Sequence, residues 1–126
     1  ENGGVTHGTP WMKVNPNYRA INVEQQKNDP SSIYHFYKKM IDLRKKHQVL
    51  VYGEYELLWE DHPELYIYTR NMNDNSVMVI CNFSMNHHQI DLSYWGKMEL
   101  LLANYEDCPE VSLIDLRPYE TRVYRY

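Results

Sequence analysis

The amino-acid sequence predicts a mainly β chain: an antiparallel Greek-key β-sandwich preceded by an irregular segment and one amphipathic α-helix. Three observations predict it. Apolar residues recur every three to four positions between Ile33 and Leu43, the period of a helix with one buried stripe. From Gly53 onward the period falls to two, as in half-buried strands. The apolar runs there are short and separated by turn residues at near-regular intervals, which is the pattern of an all-β sandwich.

Residues 1–29 come first and show no regular period. Gly3, Gly4, Gly8, Pro10, Pro16 and several Asn interrupt them, so an extended or turn-rich segment is expected. Yet Val5, Trp11, Met12, Val14, Tyr18, Ile21 and Val23 are scattered through it. A free polar tail has no need of that much apolar area, so the segment is expected to lie against something large.

Asp29-Pro30-Ser31-Ser32 is a helix-start signal, with Asp29 as cap and Pro30 at the first helical position, where a missing N–H does no harm. Ile33, Phe36, Tyr37, Met40, Ile41 and Leu43 form the apolar stripe, and Lys38, Lys39, Asp42 and Lys45 lie elsewhere. The spacing predicts a helix over 30–47. Arg44, Lys45, Lys46 and His47 end it, where cations meet the negative end of the helix dipole.

Strands are expected from Glu54 to Trp59, Leu65 to Arg70, Val77 to Phe83, Gln89 to Leu92, Lys97 to Ala103 and Glu120 to Tyr126. His62-Pro63, Asn73-Asp74-Asn75, Asn86-His87 and Tyr94-Trp95-Gly96 supply the turns. Val77-Met78-Val79-Ile80-Cys81 is apolar on both faces, which marks the central strand.

Composition narrows the function classes. The 126 residues carry a formal charge of −4 from mixed signs without a basic run, so nucleic acid and anionic membrane find no electrostatic footprint. No stretch approaches the about 20 apolar residues of a spanning helix, and the start lacks a signal peptide's regions, so a soluble, unexported chain is expected. Cys81 and Cys108 have no C-x-x-C spacing and read as reduced thiols. Twelve Tyr against two Phe is a skewed aromatic supply, suited to half-buried sheet faces and polar-rimmed surfaces.

The search for chemistry returns no self-sufficient active site. Glycoside hydrolysis needs two carboxylates about 5–10 Å apart. Glu54 and Glu56 share a strand face, but they alternate with Tyr55 and Leu57, so theirs is expected to be the wet face. His87 and His88 are adjacent on an extended run and point to opposite faces, which argues against chelation of one metal ion. Asn71 to Asn75 lacks the Gly and terminal Glu of a calcium loop and reads as a hairpin turn. Nucleophile-elbow and phosphate-binding glycine motifs do not occur in the sequence, and no cofactor is implied. Asn82-Phe83-Ser84 is formally a glycosylation acceptor but ends an expected buried strand.

Six segments nevertheless carry a resemblance. Gly8-Thr9-Pro10-Trp11, Val14-Asn15-Pro16-Asn17-Tyr18 and Ile21-Asn22-Val23 resemble a stretch of bacterial α-glucosidases of the α-amylase family, of the oligo-1,6-glucosidase, dextran glucosidase and trehalose-6-phosphate hydrolase type. Tyr37-Lys38-Lys39-Met40-Ile41-Asp42-Leu43-Arg44 is similar to that family's last barrel helix, and Gly53-Glu54-Tyr55 to the entry into its C-terminal domain. Leu116 to Tyr124 resembles the final strand. Order and coverage are consistent along nearly the whole chain.

The resemblance implies that residues 1–50 are the end of a (β/α)8 barrel, an extended segment plus its last helix, and that 51–126 are the C-terminal β-sandwich domain. The family's aspartate nucleophile, glutamate acid/base and second aspartate follow earlier barrel strands, so no catalytic residue carries over to this sequence. A start without Met, inside a Gly- and Asn-rich loop, fits such a position. Trp11, Asn15, Asn17 and Tyr18 are rim candidates for a substrate pocket, since barrel sites are built from loops after strands. The implied role is non-catalytic support of a bacterial, cytoplasmic α-glucosidase acting on α-linked gluco-oligosaccharides, with the catalytic barrel as partner. A carbohydrate-binding sandwich module using Trp59, Trp95 and strand tyrosines is the alternative. Left uncovered, the helix stripe at Ile33, Phe36, Tyr37 and Met40 predicts self-association or folding of the helix onto the chain's own sheet.

Overall fold

A computed structural model describes residues 2–126, which divide into two compact units meeting in sequence between Lys39 and Met40. In the first unit, two 3-10 turns, Asn2–Gly4 and Pro16–Arg19, precede helix α1 (Val23–Asn28). The segment is turn-rich as expected, but α1 departs from a wholly irregular reading. Asn22 begins it by accepting the Gln25 N–H at 2.9 Å, Glu24 complements the positive helix end, and residues 23–28 contain neither Gly nor Pro.

Helix α2 (Ile33–Lys46) begins three residues later than the spacing predicted. The Asp29 carboxylate is engaged locally, accepting the Ser31 N–H at 2.9 Å and its hydroxyl at 2.7 Å. This Asx turn keeps Pro30 outside the helix. Ser32, buried, takes the cap position instead: its carbonyl accepts the Phe36 N–H, and its hydroxyl reaches the His35 N–H at 3.4 Å and the Gln26 carbonyl at 2.6 Å. The basic end is as expected, with Arg44, Lys45 and Lys46 in the last turn.

In the second unit, a short helix α3 (Val49–Tyr52) leads into seven strands: β1 Glu54–Leu58, β2 Leu65–Met72, β3 Asn75–Asn82, β4 His88–Asp91, β5 Glu99–Ala103, β6 Leu113–Leu116 and β7 Thr121–Arg125. They form an antiparallel five-stranded sheet in the order β1-β2-β3-β7-β5 and a two-stranded sheet β4-β6. After β3 the chain alternates between the sheets at every strand, which gives the crossed antiparallel topology its sandwich form. β3 is central, as its two-sided apolar pattern predicted. The β2–β3 hairpin turns on Asn73 and Asp74, with Asn73 left-handed at φ 52°, a conformation its short polar side chain tolerates.

The register sorts side chains into two cores. Leu65, Ile67, Met78, Ile80 and Tyr124 face Ile90, Leu92, Ile114 and Leu116 of the smaller sheet and its flanks, with Leu58 and Trp95 at the margin. Each fully buried aliphatic here contributes about 1.5–3 kcal/mol by leaving water. On the opposite face, Val77, Val79 and Val123 pack with Val49 of α3 and with Leu43 and Leu50. This second core is why β3 is apolar on both sides. Two arginines fasten the approach to the sheet: Arg44 donates to the Leu50 carbonyl at 2.7 Å, and Arg70 to the Gly53 and Val51 carbonyls at 2.8 and 3.3 Å.

Strand β6 was absent from the expected set. Its four residues alternate exposed and buried as Leu113, Ile114, Asp115 and Leu116, so the period was present but short. The register also corrects the assignment of faces in β1. Glu56 pairs with buried Thr69 and Leu58 with Ile67, so the glutamates share the side of the main core. Both remain exposed on β1, the edge strand of the sheet.

Candidate functional site

The four rim candidates lie within the first unit. Trp11 is 91% exposed. Asn15 caps the turn Pro16–Arg19, its side-chain oxygen accepting the Asn17 N–H at 3.3 Å. Pro16, fixed near the required φ, opens that turn. Tyr18 is half-buried; its carbonyl accepts the Asn22 amide at 3.0 Å, and its hydroxyl accepts from Arg19 Nε at 3.4 Å. Asn17 is exposed. The asparagines of this stretch thus hold a looped backbone together and leave the Trp11 ring open.

The histidines separate as the strand period requires. His87 Nδ1 lies 2.9 Å from Asp115, whereas His88 Nε2 lies 2.8 Å from Glu64 and 3.4 Å from the Ser84 hydroxyl. His62 stands edge-on to His88 with ring centroids 5.3 Å apart, and its Nδ1 accepts the Glu64 and Leu65 N–H groups at 3.2 and 3.0 Å. These side chains tie the β1–β2 and β3–β4 turns to each other and to β6. Among the described residues, no three His, Cys, Asp or Glu side chains converge as a metal site. Cys81 and Cys108 are both free, and burial pushes both thiols up.

The strongest polar constellation is one the sequence reading passed over as part of a strand. Glu120 is fully buried and Arg122 is 2% exposed. One Glu120 oxygen accepts from Arg122 Nε at 2.7 Å, Arg117 Nη2 at 3.1 Å and the Cys108 thiol at 3.3 Å. The other accepts the Arg117 backbone N–H and its Nε, each at 2.8 Å. Burial alone would raise this carboxyl's pKa, but the donors from Arg117, Arg122 and Cys108 outweigh it and bring it down to about 2. Arg122 also donates to the Asp115 carbonyl at 3.2 Å, so the cluster bridges β7 of the large sheet to β6 of the small one. Such a saturated, dry ion cluster suits the fixing of two sheets in register, and it leaves no carboxyl oxygen facing solvent. The signal for it was Arg117, Glu120 and Arg122, opposite charges two and three residues apart at the entry to a strand.

Asn82 completes the inter-loop polar work. It is 3% exposed, donates to the Asn86 and Arg117 carbonyls at 2.7 and 2.9 Å, and accepts from the Ser84 N–H and hydroxyl at 2.9 and 2.8 Å. The formal glycosylation acceptor is therefore a buried clasp. A different surface is formed by Tyr55, Tyr66 and Tyr68. Their rings lie 5.3 Å apart for Tyr55 and Tyr68 and 5.4 Å for Tyr66 and Tyr68, and the Tyr55 and Tyr66 hydroxyls are 2.9 Å apart. Tyr55 and Tyr66 remain 49% and 40% exposed, and Trp59 46%. Trp95, by contrast, packs against the main core.

Known proteins match both parts of this chain. A family model for the α-amylase catalytic domain matches residues 1–53 and so ends where α3 passes into β1. An oligo-1,6-glucosidase of Parageobacillus thermoglucosidasius is 46% identical over 130 residues, covering 99% of this chain and 23% of that protein. A trehalose-6-phosphate hydrolase of Bacillus subtilis (strain 168) is 38% identical, again over 99% of this chain and 23% of its own length. The crystal structure of Bacillus licheniformis trehalose-6-phosphate hydrolase superimposes with a TM-score of 0.88 at 39% identity, covering 98% of this chain and 23% of that one. The chain thus spans under a quarter of the relatives it matches. Over nearly its whole length the chain is similar to a stretch of oligo-1,6-glucosidases and trehalose-6-phosphate hydrolases, and over residues 1–53 to the α-amylase catalytic domain.

Proposed function

We propose that this chain is the non-catalytic C-terminal portion of a bacterial α-glucosidase, a retaining, cytoplasmic enzyme acting on α-linked gluco-oligosaccharides, and that it supports the catalytic barrel. In this reading residues 1–50 complete the barrel and 51–126 form the C-terminal sandwich domain. The observation that carries it is the coincidence of two boundaries. The catalytic-domain match stops at Gly53, and the period-two strands begin at Glu54.

Chemistry supports the same division. The most perturbed carboxylate, Glu120, has all its lone pairs directed at internal donors and serves as a structural counter-ion. Trp11, Asn15, Asn17 and Tyr18 would stand at the rim of the barrel's pocket, where the open Trp11 ring offers a stacking face. The experiment is an assay of the purified chain with a chromogenic α-glucoside. No turnover is expected at any protein concentration, and measurable turnover abolished by no inhibitor of a contaminating glucosidase would contradict the reading.

A further inference from the structure

His62 and His88 touch edge to face, with ring centroids 5.3 Å apart, yet their hydrogen bonds make opposite demands on protons. His88 Nε2 meets the Glu64 carboxylate at 2.8 Å and the Ser84 hydroxyl oxygen at 3.4 Å. The Ser84 proton is committed to Asn82 Oδ1 at 2.8 Å, so both neighbours of His88 Nε2 are acceptors and this nitrogen must carry hydrogen. A second proton on the His88 ring breaks none of these bonds, and Glu64 favours the charge.

His62 is the reverse case. Its Nδ1 accepts the N–H groups of Glu64 at 3.2 Å and Leu65 at 3.0 Å, so Nδ1 must be bare. Both N–H groups belong to the corner where β2 begins: the Glu64 carbonyl accepts the Phe83 N–H at 2.8 Å, and Leu65 lies opposite Asn82 in register. The surroundings offer a charged His62 no counter-ion. From β4 it meets His88, from the end of β1 the Trp59 ring at 6.2 Å, and from the entry to β2 Glu64, whose two oxygens are taken by His88 and, at 2.8 Å, by Asn86. Glu60 and Asp61 precede it in the turn, both exposed, and among the described residues no carboxylate pairs with His62.

We propose that His62 is a proton-operated latch on the β1–β2 turn. While Nδ1 is bare, the turn is closed over the start of β2. A proton arriving at Nδ1 converts an acceptor into a donor that faces two donors, so the cationic ring must leave them and the turn opens. The open turn takes up the proton and the closed one has no place for it, so opening grows as pH falls and reverses as pH rises.

The test is amide hydrogen exchange of the chain at about pH 7.5 and about pH 5, which bracket the range where imidazoles change charge, each rate being divided by its intrinsic value at that pH. Protection of the Glu64 and Leu65 amides is expected to fall roughly tenfold at the acid pH, while Val79 and Ile80 of the central strand stay protected. Imidazole nitrogen spectra are expected to show His62 Nδ1 without a proton and His88 Nε2 with one at the higher pH. The pH at which His62 Nδ1 gains its proton should coincide with that of the protection loss. His62→Asn separates the acceptor from the proton: its Oδ1 stands where Nδ1 stood, accepts the same two N–H groups as in an Asx turn, and does not titrate. Protection of Glu64 and Leu65 in this variant is expected to match the unsubstituted chain at the higher pH and to change less than about twofold at the lower one. Equal acid responses in the two proteins would overturn the latch. So would protection that acid leaves unchanged in the unsubstituted chain, a proton on His62 Nδ1 at the higher pH, or parallel loss at Val79 and Ile80. A mismatch between the ring's titration and the loss of protection overturns it whatever the variant does.

Discussion

The backbone N–H and the Nε of Arg117 both donate to one carboxylate oxygen of Glu120 at 2.8 Å, while the Glu120 N–H returns a bond to the Arg117 carbonyl at 3.0 Å. Pro118 and a left-handed Tyr119, φ 54°, occupy the two corners between them, so a tight turn and an ion pair are one device. It delivers Glu120 to Arg122 at the start of β7 and fixes β7 against β6.

Removing the charge from Glu120 leaves the buried Arg122 guanidinium facing a neutral amide, whereas Arg117 is partly exposed and keeps Asp107. Glu120→Gln is expected to lower unfolding free energy by about 3–5 kcal/mol, the cost of leaving a buried charge unpaired. Urea denaturation followed by tyrosine and tryptophan fluorescence measures it. Asp107→Asn, at the solvent end of the same cluster, is expected to leave the midpoint unchanged, because that pair is screened by water.

Acid sensitivity follows from the same carboxyl. Its pKa falls from an ordinary 4.5 to about 2 on folding, so the unfolded chain binds the proton more tightly than the folded one. The stabilisation is complete above the unfolded value and drains as pH falls from about 4.5 toward 2. Melting temperature plotted against pH is expected to drop across this window, and more shallowly in Glu120→Gln. Equal slopes in the two proteins would remove Glu120 as the source.

Gly53 joins α3 to β1 where no side chain fits. A Cβ there would sit 2.5 Å from the Val49 carbonyl oxygen and 3.2 Å from the Asn71 nitrogen. Gly53→Ala is expected to cost about 1–3 kcal/mol through backbone displacement, read as a lower thermal midpoint. Gly8→Ala, whose Cβ would meet only Thr6 at 3.7 Å, is expected to behave as the wild-type chain.

Helix α2 has no buried residue, and Ile33, Tyr37, Met40 and Ile41 are 70%, 61%, 42% and 51% exposed. The 126-residue chain on its own is expected to self-associate through this stripe. Sedimentation velocity should show a dimer that Ile33→Lys with Tyr37→Lys returns to monomer. A strictly monomeric chain with the stripe in water would contradict the expectation.

Much of the fold was legible because local periods and tertiary burial agree. Val77 to Cys81 is apolar on both faces since both faces are covered, and Asn73-Asp74 is a hairpin corner because Asn tolerates positive φ. What escaped was decided by competition between neighbours. Asp29 was a plausible cap until Ser31 bound its carboxylate, and β6 was too short for its alternation to stand out between Pro109 and Pro118. Glu54 and Glu56 are exposed as expected, yet register puts them on the core side, because an edge strand exposes residues there as well. The cluster around Glu120 was hidden for a different reason: its partners come from Cys108, Arg117 and Arg122, and only the folded turn brings them to one carboxylate.

The most direct test of a supporting role compares hydrolysis of isomaltose by the Parageobacillus thermoglucosidasius enzyme in three forms: intact, truncated before the matched stretch, and carrying residues 1–126 in its place. The truncated form is expected to be inactive or rapidly inactivated, and the graft to recover activity with the parent's KM. A truncated enzyme as active and as durable as the intact one, or a graft that recovers nothing, would contradict the role proposed for this chain.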